Sequence, residues 1–163
     1  MSRYLLLDSG PLGLVTQPRL APEVVAINHW LIDCLSAGDA VLVPAITFYE
    51  LRRELLRARK ASGLARPDAF VQSDPNRYLV LTDEALRLAA ELWATARQQG
   101  RPTASEFGLD IDIILAAQAL LFGAGAEVIV VTTNPRHLGR FVDARLWNDV
   151  SVRSARFHRI EVS

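Results

Sequence analysis

Short apolar runs alternating with segments of helical periodicity constrain this chain more than any other feature. Arg3–Leu7, Val41–Val43 and Glu127–Val131 read as strands, rich in Leu, Val and Ile and too short for helices. After the first, Val24, Ile27, Leu31 and Cys34/Leu35 recur at helical spacing behind Pro22-Glu23. After the second, Phe48, Leu51, Leu55 and Ala58 do the same over Thr47–Arg59. Thr82–Gln99 carries a full set of helix signals: a Thr82 cap, Asp83 and Glu84 in the first turn, and Gly100 with Pro102 as the stop. A helix from Asp110 to Phe122 is apolar almost all round, as a helix buried inside a domain would be. Residues 61–78 predict a short helix plus loops, Leu79–Leu81 a weaker strand and Arg156–Val162 an edge strand. Alternation of this kind implies a central, mostly parallel sheet of four to five strands covered by helices on both faces, an α/β three-layer sandwich.

That topology gives meaning to a few isolated carboxylates. Asp8 ends the run Tyr4-Leu5-Leu6-Leu7, Glu50 lies just beyond Val41-Leu42-Val43, and Asp112 is set into Ile111-Asp112-Ile113-Ile114-Leu115. Burying an unpaired charge is expensive, so acids beside core segments need partners. No lysine is near them, because Lys60 is the only lysine in the chain. A divalent metal is the partner expected. In a parallel sheet the C-terminal strand edge collects strand ends and the starts of the following helices. Asp8, Glu50 (placed in the first turn of its helix), Asp112 and the post-strand Asn134 all fall at that edge, where open α/β sheets bind ligands.

Each residue has a plainer reading. Asp8-Ser9-Gly10-Pro11 is a good turn sequence, Thr47-x-x-Glu50 matches a capping box, and Asp112 suits a helix N-terminus. Asp110 is two residues from Asp112 and cannot share its helix face. It joins a metal site only from a preceding loop, and otherwise caps the helix. Asn134 before Pro135 also reads as a turn residue. Glu54 repels Glu50 from one turn away, which a cation over Glu50 would offset. His29, His137 and His158 read as surface residues, with His137 close enough to Asn134 to touch a substrate.

Composition bounds the rest. The 163 residues, 50% of them hydrophobic, suffice for one globular domain over 1–163 with a real core. The 18 basic and 18 acidic residues balance, so the overall field does not advertise nucleic acid. Cys34 is alone, which excludes an internal disulfide and a cysteine-rich zinc site. No apolar run approaches the roughly 18 residues of a membrane span, and only four apolar residues separate Arg3 from Asp8, too few for a signal peptide. A cytoplasmic protein without a membrane partner is expected.

Leu6-Leu7-Asp8-Ser9, Phe48-Tyr49-Glu50-Leu51, Asp112-Ile113-Ile114-Leu115-Ala116-Ala117-Gln118-Ala119 and Val130-Val131-Thr132-Thr133-Asn134, in that order and spacing, resemble the PIN-domain family of metal-dependent nucleases, VapC-like toxin ribonucleases above all. The resemblance spans residues 4 to about 141. It implies Asp8, Glu50 and Asp112 as metal-binding acids, with Asp110 assisting, and Asn134 at the family's last corner, where Asp is the alternative. It further implies an endoribonuclease using Mg²⁺ or Mn²⁺, often a homodimer, acting on RNA and neutralised by a small antitoxin protein. Hard carboxylate oxygens suit those ions. Arg52, Arg53, Arg57 and Arg59 are candidates for flanking phosphates, with a solvated helix face as the default. Two other classes compete. A phosphotransfer domain would need a lysine beside its aspartate, and Lys60 is misplaced for that. A catalytically silent PIN-like domain that binds RNA or protein would tolerate the neutral Asn134.

Overall fold

The computed structural model describes residues 2–100 and 106–154, with the side chains of 106–108 left aside. Five parallel strands form one sheet: β1 (Arg3–Leu7), β2 (Ala40–Pro44), β3 (Tyr78–Leu79), β4 (Glu127–Val131) and β5 (Ala144–Arg145), in the order β3-β2-β1-β4-β5. Seven α-helices join them among the described residues: α1 (Ser9–Val15), α2 (Pro22–Ser36), α3 (Ala45–Arg57), α4 (Ala65–Gln72), α5 (Asp83–Gln98), α6 (Glu106–Phe122) and α7 (Pro135–Leu138). The chain runs outward from β1 through β2 to β3, then returns to lay β4 on the other side of β1. Strand order therefore reverses between β1 and β4, which opens a crevice at their C-terminal ends.

The expected α/β three-layer sandwich is what forms, and the reason is legible along β1. Leu5 and Leu7 face one side with Val41, Val43, Ile129 and Val131, against Leu12 and Val15 of α1 and Ile27, Trp30 and Leu31 of α2. Leu6, Leu42 and Val130 face the other, against Ile111, Leu115, Ala116 and Ala119 of α6. With both faces covered, the strand is apolar without alternation, as parallel sheets require. Helix α5 packs outside α6, where Ala89 meets Ile113 and Ala117.

Several boundaries differ from expectation. Helix α3 starts at Ala45, not Thr47, so Thr47 caps nothing and the capping box does not form. The Thr47 hydroxyl instead donates to Leu7 O (3.0 Å) and Pro44 O (2.9 Å), tying the end of β1 to the start of α3. Glu50 consequently sits in the second turn. Helix α6 begins at Glu106, four residues early, so Asp110 is inside a helix and not on a loop. Asp8-Ser9-Gly10-Pro11 is no open turn: Asp8 is the N-cap of α1, accepting from Ser9 N at 2.8 Å, and Pro11 sits within the first turn, where it costs no hydrogen bond. For α5 the expected Thr82 cap is present, accepting from Ala85 N at 3.1 Å, and Gly100 takes the left-handed conformation (φ 64°) that ends a helix. The strand expected over Arg156–Val162, His158 and the Pro102 stop all lie outside the described residues; the edge strand beside β4 is β5.

At the opposite, N-terminal edge of the sheet a second acid is buried. Asp39, its side chain fully enclosed, accepts from Arg3 Nε (3.2 Å) and pairs with Arg153 (3.0 Å), while Arg3 also reaches Ser151 O at 3.0 Å. With Trp30 Nε1 donating to Val150 O (2.9 Å), this ties residues 150–153 onto β1 and α2.

Candidate metal centre

Asp8 leaves β1 at the crevice. Its backbone N–H continues the ladder to Val131 O (2.9 Å), and its carboxylate is fixed by two donors, Ser9 N (2.8 Å) and the Thr132 hydroxyl (2.7 Å). Thr132, buried just past β4, also accepts from Asn134 N at 3.1 Å, so one hydroxyl spans both sides of the switch point. Gly10 makes the approach possible: a Cβ there would stand 2.8 Å from both Cγ2 and Oγ1 of Thr133. Burial pushes the Asp8 pKa up, and the Thr132 and Ser9 hydrogen bonds oppose it only in part.

Glu50 arrives on α3, whose start is held by a buried amide. Gln118 Oε1 accepts from Ile46 N (3.3 Å), and its Nε2 donates to Leu79 O and Val80 O (both 3.1 Å), so α3, α6 and the end of β3 are locked together. The Glu50 pKa is raised by burial first and by the charge of Asp8 as well, while the Ser9 hydroxyl and Arg53 pull it down. Arg53 stands 3.9 Å from Glu50 and 3.5 Å from Glu54, with its guanidinium over the Tyr49 ring.

Asp112 comes from the second turn of α6. It is pushed from 3.8 up to about 6, chiefly by burial and then by Asp8, with Glu50 adding to the same effect and His137 opposing it. His137 Nδ1 lies 3.5 Å from Asp112 Oδ2 and 3.4 Å from the Asn134 side-chain nitrogen. All three acids have raised proton affinity, first through burial; the charge of Asp8 adds to the rise at Glu50 and Asp112, and that of Glu50 to the rise at Asp112, as for carboxylates sharing a site. No ion pair engages Asp8 among the described residues. Among the described residues, no three His, Cys, Asp or Glu side chains are drawn close enough to hold a metal ion as they stand.

The structure therefore brings Asp8, Glu50, Asp112 and Asn134 to one crevice and leaves Asp110 out. Asp110 is exposed on another face of α6, lining a cleft of about 500 Å³ with Trp93 and Arg97 of α5, because a residue two positions from Asp112 on a helix points elsewhere. The four arginines singled out after Glu50 are also mostly engaged: Arg52 pairs with Asp68, and Arg53 and Arg57 pair with Glu54. Two neighbours of the acids escaped the sequence reading, and the role of a third was only half read. Thr132 and Ser9 look like ordinary strand-end and turn residues, and their signal was only adjacency to Asp8 and Asn134. His137 read as a surface residue close enough to Asn134 to touch a substrate; it does stand beside Asn134, and its place against Asp112 was not foreseen.

No protein-family model matches the chain, and no curated protein matches it in sequence. Solved structures do. The chain is similar to one in VapBC2 from Rickettsia felis bound to a DNA fragment from their promoter (14% identity, TM-score 0.62, covering 88% of this chain and 96% of that one). FitAcB from Neisseria gonorrhoeae gives 19% identity and a TM-score of 0.63, covering 90% and 99%. VapBC-1 from nontypeable Haemophilus influenzae gives 16% and 0.62, covering 89% and 98%. The fold is PIN-like, over nearly the full length of each of these chains.

Proposed function

We propose that this chain is a Mg²⁺- or Mn²⁺-dependent endoribonuclease that hydrolyses a phosphodiester of single-stranded or structured RNA, acting as the toxin of a toxin–antitoxin pair. One contrast carries the reading. The buried Asp39 is matched by Arg3 and Arg153, whereas Asp8, Glu50 and Asp112 gather at the C-terminal edge of the sheet with proton affinities raised by burial and, at Glu50 and Asp112, by the neighbouring acids as well. Among the described residues the one arginine within ion-pair distance of these three acids is Arg53, 3.9 Å from Glu50, and a divalent cation would supply the positive charge the crevice lacks.

The donor set fits a hard divalent ion: carboxylate oxygens, no thiolate, and one imidazole at the margin. Bound there, such an ion supplies water activation and stabilises charge on the transferring phosphoryl group. Asp8, Glu50 and Asp112 would hold it, turning inward by side-chain rotation, while Thr132 and Ser9 N–H keep the Asp8 carboxylate aimed into the crevice. Asn134 is exposed and neutral, so its amide suits orienting a phosphate oxygen or water better than binding metal. Asp110 is left out of the set. Likeness to the VapBC and FitAB assemblies supports a small antitoxin of the VapB or FitA kind as partner. A homodimer belongs to the same reading.

Incubating the purified chain with a mixed RNA pool, in Mn²⁺ and again in EDTA, tests it. Cleavage expected in the first and absent in the second supports the reading; RNA left intact in Mn²⁺ defeats it. Retained RNA binding without cleavage would favour a silent PIN-like binding domain.

A further inference from the structure

We propose that the cleft between α1, α3 and the turn after α3 is the path of the RNA strand leading to the acids, with Lys60 and Arg19 holding its phosphates; this rests on the nuclease reading above. The cleft measures about 690 Å³ and starts at Ser9, whose N–H holds Asp8 and whose hydroxyl faces Glu50. Through Ser9 the cleft adjoins the carboxylates, although none of them lines it.

Charge selects the occupant. No Asp or Glu lines the cleft, and its two cations, Arg19 and Lys60, are exposed and enter no ion pair among the described residues. Elsewhere on α3 the opposite holds, since Arg52, Arg53 and Arg57 all face carboxylates. Two unmatched cations in an acid-free cleft complement a polyanion, and a single strand that carries one phosphate per nucleotide meets them in series. The floor leaves room for it. A Cβ on Gly13 would stand 3.5 Å from Leu51 and one on Gly63 3.5 Å from Leu55, ordinary contacts, so packing does not demand glycine at either place. What the missing side chains provide is close approach to the backbone, over a wall of leucine suited to sugar and base faces.

The rim is built to hold its cations in place. Arg59 takes a left-handed conformation (φ 56°), with its N–H donating to Leu56 O (3.0 Å) and that of Lys60 to Leu55 O (2.8 Å). That is the helix-ending turn in which glycine is usual, and it folds Lys60 back onto the cleft. Across from it, Arg66 Nε donates to Thr16 O (2.6 Å) and pins the loop that carries Arg19.

Fluorescence anisotropy of a labelled single-stranded RNA, measured on the full chain in EDTA across a KCl series, tests the path. Each phosphate contact on a single strand contributes about 0.7 to the slope of log affinity against log salt. The double variant Lys60→Gln/Arg19→Gln should therefore lose about 1.4 of slope, bind several-fold more weakly and raise KM for cleavage in Mn²⁺. The pair Lys60→Arg/Arg19→Lys should restore the slope, and Arg87→Gln on α5 should not change it. An unaltered slope and KM in a double variant of a wild type that binds and cuts RNA would overturn the path and leave the nuclease reading standing. The same unaltered RNA behaviour combined with lost binding of a protein partner would assign the cleft to that partner instead. A wild type that neither binds nor cuts RNA removes the nuclease reading and the path together.

Discussion

Replacing Asp112 by Asn should stabilise the metal-free protein at neutral pH. An acid whose pKa is raised on folding binds its proton more tightly in the folded state, so stability is full below the ordinary carboxyl pKa and falls as pH rises toward the folded value. For Asp112 that window runs from 3.8 to about 6. Each tenfold change in proton affinity is worth about 1.4 kcal/mol, and the side chain is only 21% exposed, so solvent screens it modestly. Above pH 6 the folded chain then forgoes on the order of 2 kcal/mol at this one residue. For a chain of this length that is a melting-temperature gain of about 4–8 °C for Asp112→Asn, read in EDTA at pH 7.5 and shrinking toward zero near pH 4. Mn²⁺ should reverse the order. The wild type gains about 2.7 kcal/mol at a hundredfold excess of ion over its dissociation constant, and the variant, one carboxylate short, gains less. Thermal unfolding across pH 4–8, with and without Mn²⁺, decides it. A variant no more stable than wild type in EDTA at pH 7.5, or one that keeps the whole Mn²⁺ response, would refute the shared crevice.

Three further outcomes follow from the same geometry. Asp39→Asn should destabilise by about 3–5 kcal/mol, because it strands the buried Arg3, and should leave any Mn²⁺-induced rise in melting temperature intact; denaturant titration measures both. Thr132→Val removes the hydroxyl bonded to Asp8, so the Asp8 proton affinity should rise and metal should bind more weakly at pH 6 than at pH 8, as calorimetric titration at the two pH values would read. Arg59→Gly should stabilise by about 0.5–1 kcal/mol, the left-handed strain of about 1–2 kcal/mol less glycine's greater entropy loss on folding; equal or lower stability would place the strain elsewhere.

The sheet was readable because leucine and valine runs this short leave few alternatives once helices intervene, and the crevice was readable because parallel topology sends Asp8, Glu50 and Asn134 to one edge whatever the exact boundaries. Boundaries themselves were not. Thr47 carries the residue type of a cap, yet Pro44 already fixes a backbone suited to starting the helix at Ala45, and the Thr47 hydroxyl found a better acceptor in Leu7 O. Asp110 was misplaced for a related reason: polar residues before Ile111 look like a cap, while the helix runs on to Glu106 and turns Asp110 away from Asp112.

Asp39 shows what pattern alone cannot separate. It too sits beside an apolar strand, after Gly38 in a turn, and by the rule of isolated acids near core segments it qualifies as well as Asp8 does. What distinguishes them is distant in sequence: Arg3 is 36 positions from Asp39 and inside the first strand, where an arginine reads as an end residue and not as a partner. Asp8 has its own long-range partner in Thr132, 124 positions on, but that partner brings a dipole and no charge. Removing a carboxylate charge should therefore act in opposite directions at the two ends of the same sheet. It costs stability at Asp39, where cations are left behind, and adds it at Asp112, where other acids are. The sign of that change measures whether a buried acid belongs to the scaffold or waits for a metal.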